Sequence, residues 1–169
     1  MYRRGPEGGF TFVEILITLV FLSIAMLAVT FQFPFGLKIS EGAEDLTLGT
    51  NLAQELMEEI KAMYWEDPDS PGSPLGPDAL ETGREYFDDV DDYDGLVEAP
   101  PHDLDGNPLD GLDGRANFGK YTRDVVVTYA DTTSLQAVAG PTSYKRIEVG
   151  VTNTLNQNRA ILVLILARY

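Results

Sequence analysis

Two groups of side chains in this sequence have types and spacings that could do chemistry. The first is Gly9-Phe10-Thr11-Phe12-Val13-Glu14, where a single carboxylate stands at the start of a long apolar run. A carboxylate in lipid costs about 2.5–3.5 kcal/mol on insertion scales, so Glu14 must lie near the interface, take up a proton or find a cation. Cutting the chain after Gly9 would create that cation. The new α-amino group of Phe10 could pair with Glu14 in the same chain or in a neighbouring one. The plainer reading is that Glu14 only snorkels to the interface.

The second group is an acidic stretch. Asp103, Asp105 and Asn107 have the alternating oxygen spacing of a calcium loop, with Asp110 and Asp113 close behind, and Asp88, Asp89, Asp91, Asp92 and Asp94 cluster upstream. The register is not that of an EF-hand, because Pro108 stands where glycine is required and Gly114 where glutamate is required. Carboxylates in turns rich in Gly and Pro are more often solvated or cap local backbone. Calcium held by Asp103, Asp105, Asn107 and Asp110 is the alternative to that use, and no other cofactor is expected.

Enzymatic chemistry finds little footing. The chain has no cysteine, which removes disulfides, thiolate metal sites and thiol nucleophiles. His102 is the single histidine and sits in a turn between Pro101 and Asp103. No nucleophile elbow, phosphate loop or metal-binding His pair is present. Acids are plentiful enough for a carboxylate pair, but nothing marks one pair out from the rest. The chain is read as a non-enzyme, with an anchored hydrolase as the least supported reading.

The elements that must position these groups follow from composition. The chain has 169 residues, 44% of them hydrophobic, which suits one domain with a real core. A formal net charge of −15 repels phosphate backbones, so no nucleic-acid partner is expected. The acid is concentrated from Glu66 to Asp113, which holds 16 carboxylates and one base, Arg84. Ahead of it, a basic leader of residues 1–9 carries Arg3 and Arg4. The 23 residues from Ile15 to Leu37 bear no charge. As a helix that stretch reaches roughly 34 Å, enough to cross a hydrocarbon core of about 30 Å. Basic residues before the span place the leader in the cytoplasm and Lys38 to Tyr169 outside. A secretory signal peptide is a poor fit, since small residues with A-x-A spacing are missing near Ala25 to Thr30.

Gly-Phe-Thr, two hydrophobic residues and Glu, after a basic leader and before an apolar span, resemble the type IV prepilin family. The match lies at Gly9 to Glu14. The resemblance implies that a prepilin peptidase cuts between Gly9 and Phe10, methylates the amine of Phe10 and leaves the apolar segment as an assembly surface. It implies a pilin-like fold, a place in the cytoplasmic (inner) membrane, and later incorporation in a filament. The implied partners are the peptidase, other pilin or pseudopilin subunits and the inner-membrane assembly platform. Glu14 would then pair with the methylated amine as a register device. The segments Leu52 to Ala62, Phe87 to Tyr93 and Lys145 to Val149 resemble minor pilins or minor type II secretion pseudopilins more than abundant subunits. Tip pseudopilins commonly lack the acid found here at position 14. The choice between a type IV pilus and a type II secretion pseudopilus stays open. A monomeric, membrane-anchored binding domain with an acidic loop is the alternative outside this family.

Downstream of the span, Ala53, Leu56, Met57, Ile60, Met63 and Tyr64 fall on one helical stripe. A long helix is therefore expected from about Thr11 to Tyr64. Pro34 should kink or locally unwind it, with Gly36, Gly42 and Gly49 adding weakness. Its assembly half covers residues 10–37 and its amphipathic half residues 38–64. Residues 65–120 form a loop-rich acidic region, in which the aromatic residues of Arg84 to Leu96 point to docking. Residues 121–169 read as an antiparallel meander. Strands are expected at Tyr121 to Ala130, at Lys145 to Val151 and at Ala160 to Ala167, the last apolar enough to lie centrally under the helix. The fold class is α+β, a long N-terminal helix packed on an antiparallel sheet of at least three strands.

Overall fold

The computed structural model describes residues 8–109 and 118–168, with backbone alone for residues 33–35. The basic leader before Gly8, and Asp110 and Asp113, lie outside the described residues. The element order is a helix α1 (Phe12–Lys61), then strands β1 (Val97–Glu98), β2 (Tyr121–Ala130), β3 (Ala137–Val138), β4 (Tyr144–Asn153) and β5 (Arg159–Ala167). Short 3₁₀ turns lie at Arg84–Tyr86, Asp91–Tyr93 and Phe118–Lys120. The chain divides into two compact units, Met1–Gly42 and Ala43–Tyr169.

In the first unit, every side chain described from Gly8 to Gln32 is exposed. Apolar residues cover all sides of this helical stretch, which has the length and composition of a membrane span. Its few hydroxyls are satisfied internally. Thr18 donates to the carbonyl of Ile15 (2.8 Å), Ser23 to that of Leu19 (2.7 Å) and Thr30 to that of Met26 (2.8 Å). That is the arrangement a lipid environment favours, because no water is there to accept them. α1 is helical without a break from Phe12 to Lys61, so the local unwinding expected at Pro34 does not occur. A proline removes a single donor, and the bonds of a long cooperative helix carry the chain past it.

In the second unit, the helix from Ala43 to Lys61 lies on one face of the sheet. Leu52, Ala53, Leu56, Met57 and Ile60 meet Val125, Val127, Ile147, Val149 and Val151, with Val90 and Tyr93 closing the cluster. The strand faces are those read from the sequence, and so is the stripe as far as Ile60; Leu52 joins it, Met63 is partly buried, and Tyr64, expected on it, is 65% exposed because the helix ends at Lys61. Each fully buried aliphatic side chain there contributes about 1.5–3 kcal/mol. Gly49, expected to weaken the helix, is a point of close approach. A Cβ there would stand 3.3 Å from the Cβ of Ala160 on β5.

The sheet is antiparallel, in the order β1-β2-β4-β5, with β3 also pairing β2. β4 pairs β2 over Tyr121↔Asn153 to Tyr129↔Lys145, and β5 over Tyr144↔Ala167 to Thr152↔Arg159. Residues 155–158 make the β4–β5 turn, closed by Asn153 N–H donating to the Asn158 carbonyl at 2.8 Å. One expectation needs correcting. β5 is not central but stands at the sheet's edge. Its apolar residues on both faces suggested burial on both faces, yet Ile161 and Val163 are about half exposed on the outer one.

Candidate functional site

Residues 8–11 are not helical, and α1 begins at Phe12. The Gly9–Phe10 peptide bond thus lies in irregular, exposed backbone directly before a helix. Phe10 is exposed. Glu14 is the acidic residue of the first helical turn, and its amide donates to the Thr11 hydroxyl at 3.3 Å. An acid near a helix N-terminus is favoured by the helix dipole. Thr11 and Glu14 together therefore define where the helix starts.

The second group is built on buried charge. Arg84 reaches back to the helix, where its Nε donates to Glu59 Oε1 at 2.7 Å and its Nη2 to Glu59 Oε2. Its Nη1 donates to Glu98 Oε1 at 2.7 Å and to the His102 carbonyl at 2.9 Å. Arg123 on β2 takes the other oxygen of Glu98, with Nε at 2.8 Å and Nη2 at 2.5 Å. It also donates to the carbonyls of His102 (2.8 Å) and Leu52 (3.2 Å). The Tyr93 hydroxyl donates to Glu59 at 2.7 Å, and burial pushes its own ionisation far up. The aromatic segment does dock. Val90 and Tyr93 are fully buried, and Phe87 packs edge-on against Tyr93 with centroids 5.1 Å apart. His102 takes part through its backbone.

Two further ties fix the loop and the turn. Lys145, on the inner face of β4, is buried with its Nζ 2.6 Å from Asp91 Oδ1 and 4.5 Å above the Trp65 ring, and it donates to the Trp65 carbonyl. Asp45 on α1 accepts from Lys120 Nζ (2.9 Å), the Tyr121 hydroxyl (2.8 Å) and Asn156 Nδ2 (2.5 Å). The Lys120 ammonium holds the Asp45 carboxyl well below the usual carboxylate range.

The acidic residues fall into two sets. Asp103 Oδ1 accepts from the Asn107 amide at 2.8 Å, and that bond holds its carboxyl below the ordinary range. Asp103 and Asn107 therefore close a turn on each other, beside an exposed Asp105. The other set lies upstream. Ligand oxygens of Glu81, Asp88 and Asp92 all fall within 4.8 Å of one another, close enough for one divalent cation. Asp92 Oδ2 accepts from the amides of Asp88 (3.0 Å) and Asp89 (3.1 Å), and Asp89 Oδ1 from those of Asp91 and Asp92. Burial pushes the Asp89 carboxyl up to about 7, with Asp92 and Asp91 adding like-charge repulsion. The same two causes raise Asp88 and Glu81. The spacing of Asp88 to Asp94 did not single out Glu81, which comes from seven positions upstream.

The ion network is not legible in the sequence as a motif. The signals it leaves are Arg84, a lone base among many acids, and Arg123, a base within the strand Tyr121–Ala130. Comparison with protein-family models, with curated proteins and with solved structures gave no match.

Proposed function

We propose that this chain is a pilin-like structural subunit, cut between Gly9 and Phe10 and assembled from the membrane into a helical filament. The observation that carries this is the join at the start of α1. An exposed, irregular Gly9–Phe10 bond leads directly into a helix whose first turn holds Glu14 and whose following residues are apolar on every side. The helix dipole favours a carboxylate there in any anchor, and a bundle of such helices gives it a further use as the partner of a buried cation. After cutting, the Phe10 amine and Glu14 form a cation–anion pair in surroundings of low dielectric, where a mismatched register leaves a charge without its partner. The pair therefore acts on assembly order more than on stability.

The second unit, with its buried network and acidic surface, is the part displayed outside the membrane. The system served, type IV pilus or type II secretion pseudopilus, is separated by the genes that lie beside this one. The alternative, an anchored monomeric domain, draws on the Glu81, Asp88 and Asp92 group and requires an intact leader and no oligomer. Glu14→Ala tests the proposal. The variant should insert in the membrane at normal level and enter filaments poorly, measured by membrane fractionation and by subunit content of sheared filaments. Normal incorporation contradicts the role given to Glu14.

A further inference from the structure

Lys145 is the one lysine among the described residues that the fold buries. Its Nζ stands 2.6 Å from Asp91 Oδ1, with 2% and 5% of the two side chains exposed. That oxygen is buried and has no hydrogen-bond partner among the described residues, while Nζ donates to the Trp65 carbonyl. The nitrogen therefore approaches the carboxylate off the direction of a hydrogen bond. Other buried acids of this fold are held differently. Asp45 accepts from Lys120, Tyr121 and Asn156, and Glu98 from Arg84 and Arg123. A buried ion pair is favourable only with such bonds in place, and as ions Lys145 and Asp91 lack them.

Both residues are fixed where they meet. Lys145 lies on β4 between two paired strands, opposite Tyr129 on β2 and Leu166 on β5. Asp91 is held by its backbone, since its amide donates to Asp89 Oδ1 and its carbonyl accepts from the amides of Gly76 (3.0 Å) and Asp94 (2.9 Å). A C–O bond is about 1.2 Å long, so Asp91 Cγ lies within about 4 Å of Nζ, close to the separation from which bonds form. The choice of base matters as well. The other buried cations, Arg84 and Arg123, carry guanidinium groups that do not lose a proton, whereas an amine freed of one is a nucleophile.

The geometry points to a covalent modification site, an intramolecular isopeptide bond between Lys145 Nζ and Asp91 Cγ that the fold itself forms. In the dry core a proton passes from the ammonium to the carboxylate, leaving an amine and a carboxylic acid, because a low dielectric disfavours separate charges. The electron pair of the amine forms the Nζ–Cγ bond. One Cγ–O bond breaks with its electrons on oxygen, and that oxygen leaves as water with a second proton from nitrogen. Of the ammonium's protons one stays on the amide and the others leave in the water, so no oxidant, reductant or activating group is needed. The remaining N–H keeps the Trp65 carbonyl as its acceptor. A cavity of about 340 Å³, which Lys145 and Asp91 line together with Trp65, Tyr129 and Arg168, receives the water. The bond staples the turn Asp91–Tyr93 to β4 in a chain that has no cysteine for the purpose. It does not depend on the filament reading of the chain.

The test is a tryptic digest of the full chain, purified in detergent and read by tandem mass spectrometry. The expected result is a branched species in which the peptide carrying Asp91 and the peptide carrying Lys145 travel together, lighter than their sum by one water, with no cleavage after Lys145. Asp91→Asn should give the same branched mass, because a side-chain amide loses ammonia where the acid loses water. Asp91→Ala should give free peptides only, and a branched species from that variant overturns the assignment. Two separate peptides from the unaltered chain, cut after Lys145, overturn the inference and leave a buried ion pair. Loss of water without a branched peptide overturns it too, since Asp94-Gly95 and Asp105-Gly106 can lose water by ring closure of their own. The unaltered chain decides the matter, so a variant that fails to fold does not. Cutting at Gly9–Phe10 is read on a different peptide, and either result leaves that question separate.

Discussion

Arg123 Nε lies 2.8 Å from Glu98 Oε2, and neither side chain is more than 7% exposed. Glu98 gives its other oxygen to Arg84, which in turn grips Glu59 on the helix. One chain of charges therefore joins α1, the acidic region and β2. Its strength is that of a closed set, because a buried ion with its partner removed costs more than the pair contributes.

Arg123→Met follows from this. It leaves Glu98 Oε2 buried without its cation, held only by the His102 amide at 3.3 Å, and should destabilise the fold by about 3–5 kcal/mol. Chemical denaturation of the full chain in detergent, read by tryptophan fluorescence of Trp65, measures it. A loss below 1 kcal/mol, on the order of an exposed pair, would show that the network is not closed.

Asp45→Ala should cost about 1–3 kcal/mol, since it strands the buried Tyr121 hydroxyl and frees the β4–β5 turn from the helix. Amide hydrogen exchange at Asn156 to Asn158 should rise before exchange in β2 does. Unchanged exchange at the turn contradicts the tie.

Asp89 predicts a pH dependence with a definite sign. Its carboxyl is raised in the folded state to about 7 from an ordinary 3.8. A raised acid binds its proton more tightly when folded, so its contribution is complete below the ordinary value and is lost as pH rises through about 7. Asp89→Asn keeps an acceptor for the Asp91 and Asp92 amides and cannot ionise. The variant should therefore gain stability relative to the unaltered chain between pH 5 and pH 8 (about the window of that shift). Parallel curves for the two proteins over that range contradict the assignment.

What could be read from the sequence was what depends on period. The stripe from Ala53 to Ile60 and the alternation of Ile147, Val149 and Val151 carry the core, and each repeats at the spacing of its element. The Tyr121–Ala130 strand was legible to its ends for the same reason. The place of β5 was not, because hydropathy alone does not distinguish an apolar strand inside a sheet from one at its edge. The partners of Arg84 and Arg123 were hidden too. Glu59 and Glu98 lie 25 residues from Arg84 and Arg123 respectively, and no local pattern joins them. Of the candidate site, Gly9, Phe10 and Glu14 could be named because their chemistry is contiguous, whereas Glu81 meets Asp88 and Asp92 through a fold of the loop.

The central claim, that the chain is a processed filament subunit, is tested most directly by mass spectrometry of the N-terminal peptide from protein isolated from its native membrane. The account predicts a chain beginning at Phe10 and heavier by one methyl group. A chain that begins at Met1, in cells that process other prepilins, would contradict it and leave the anchored domain as the better description.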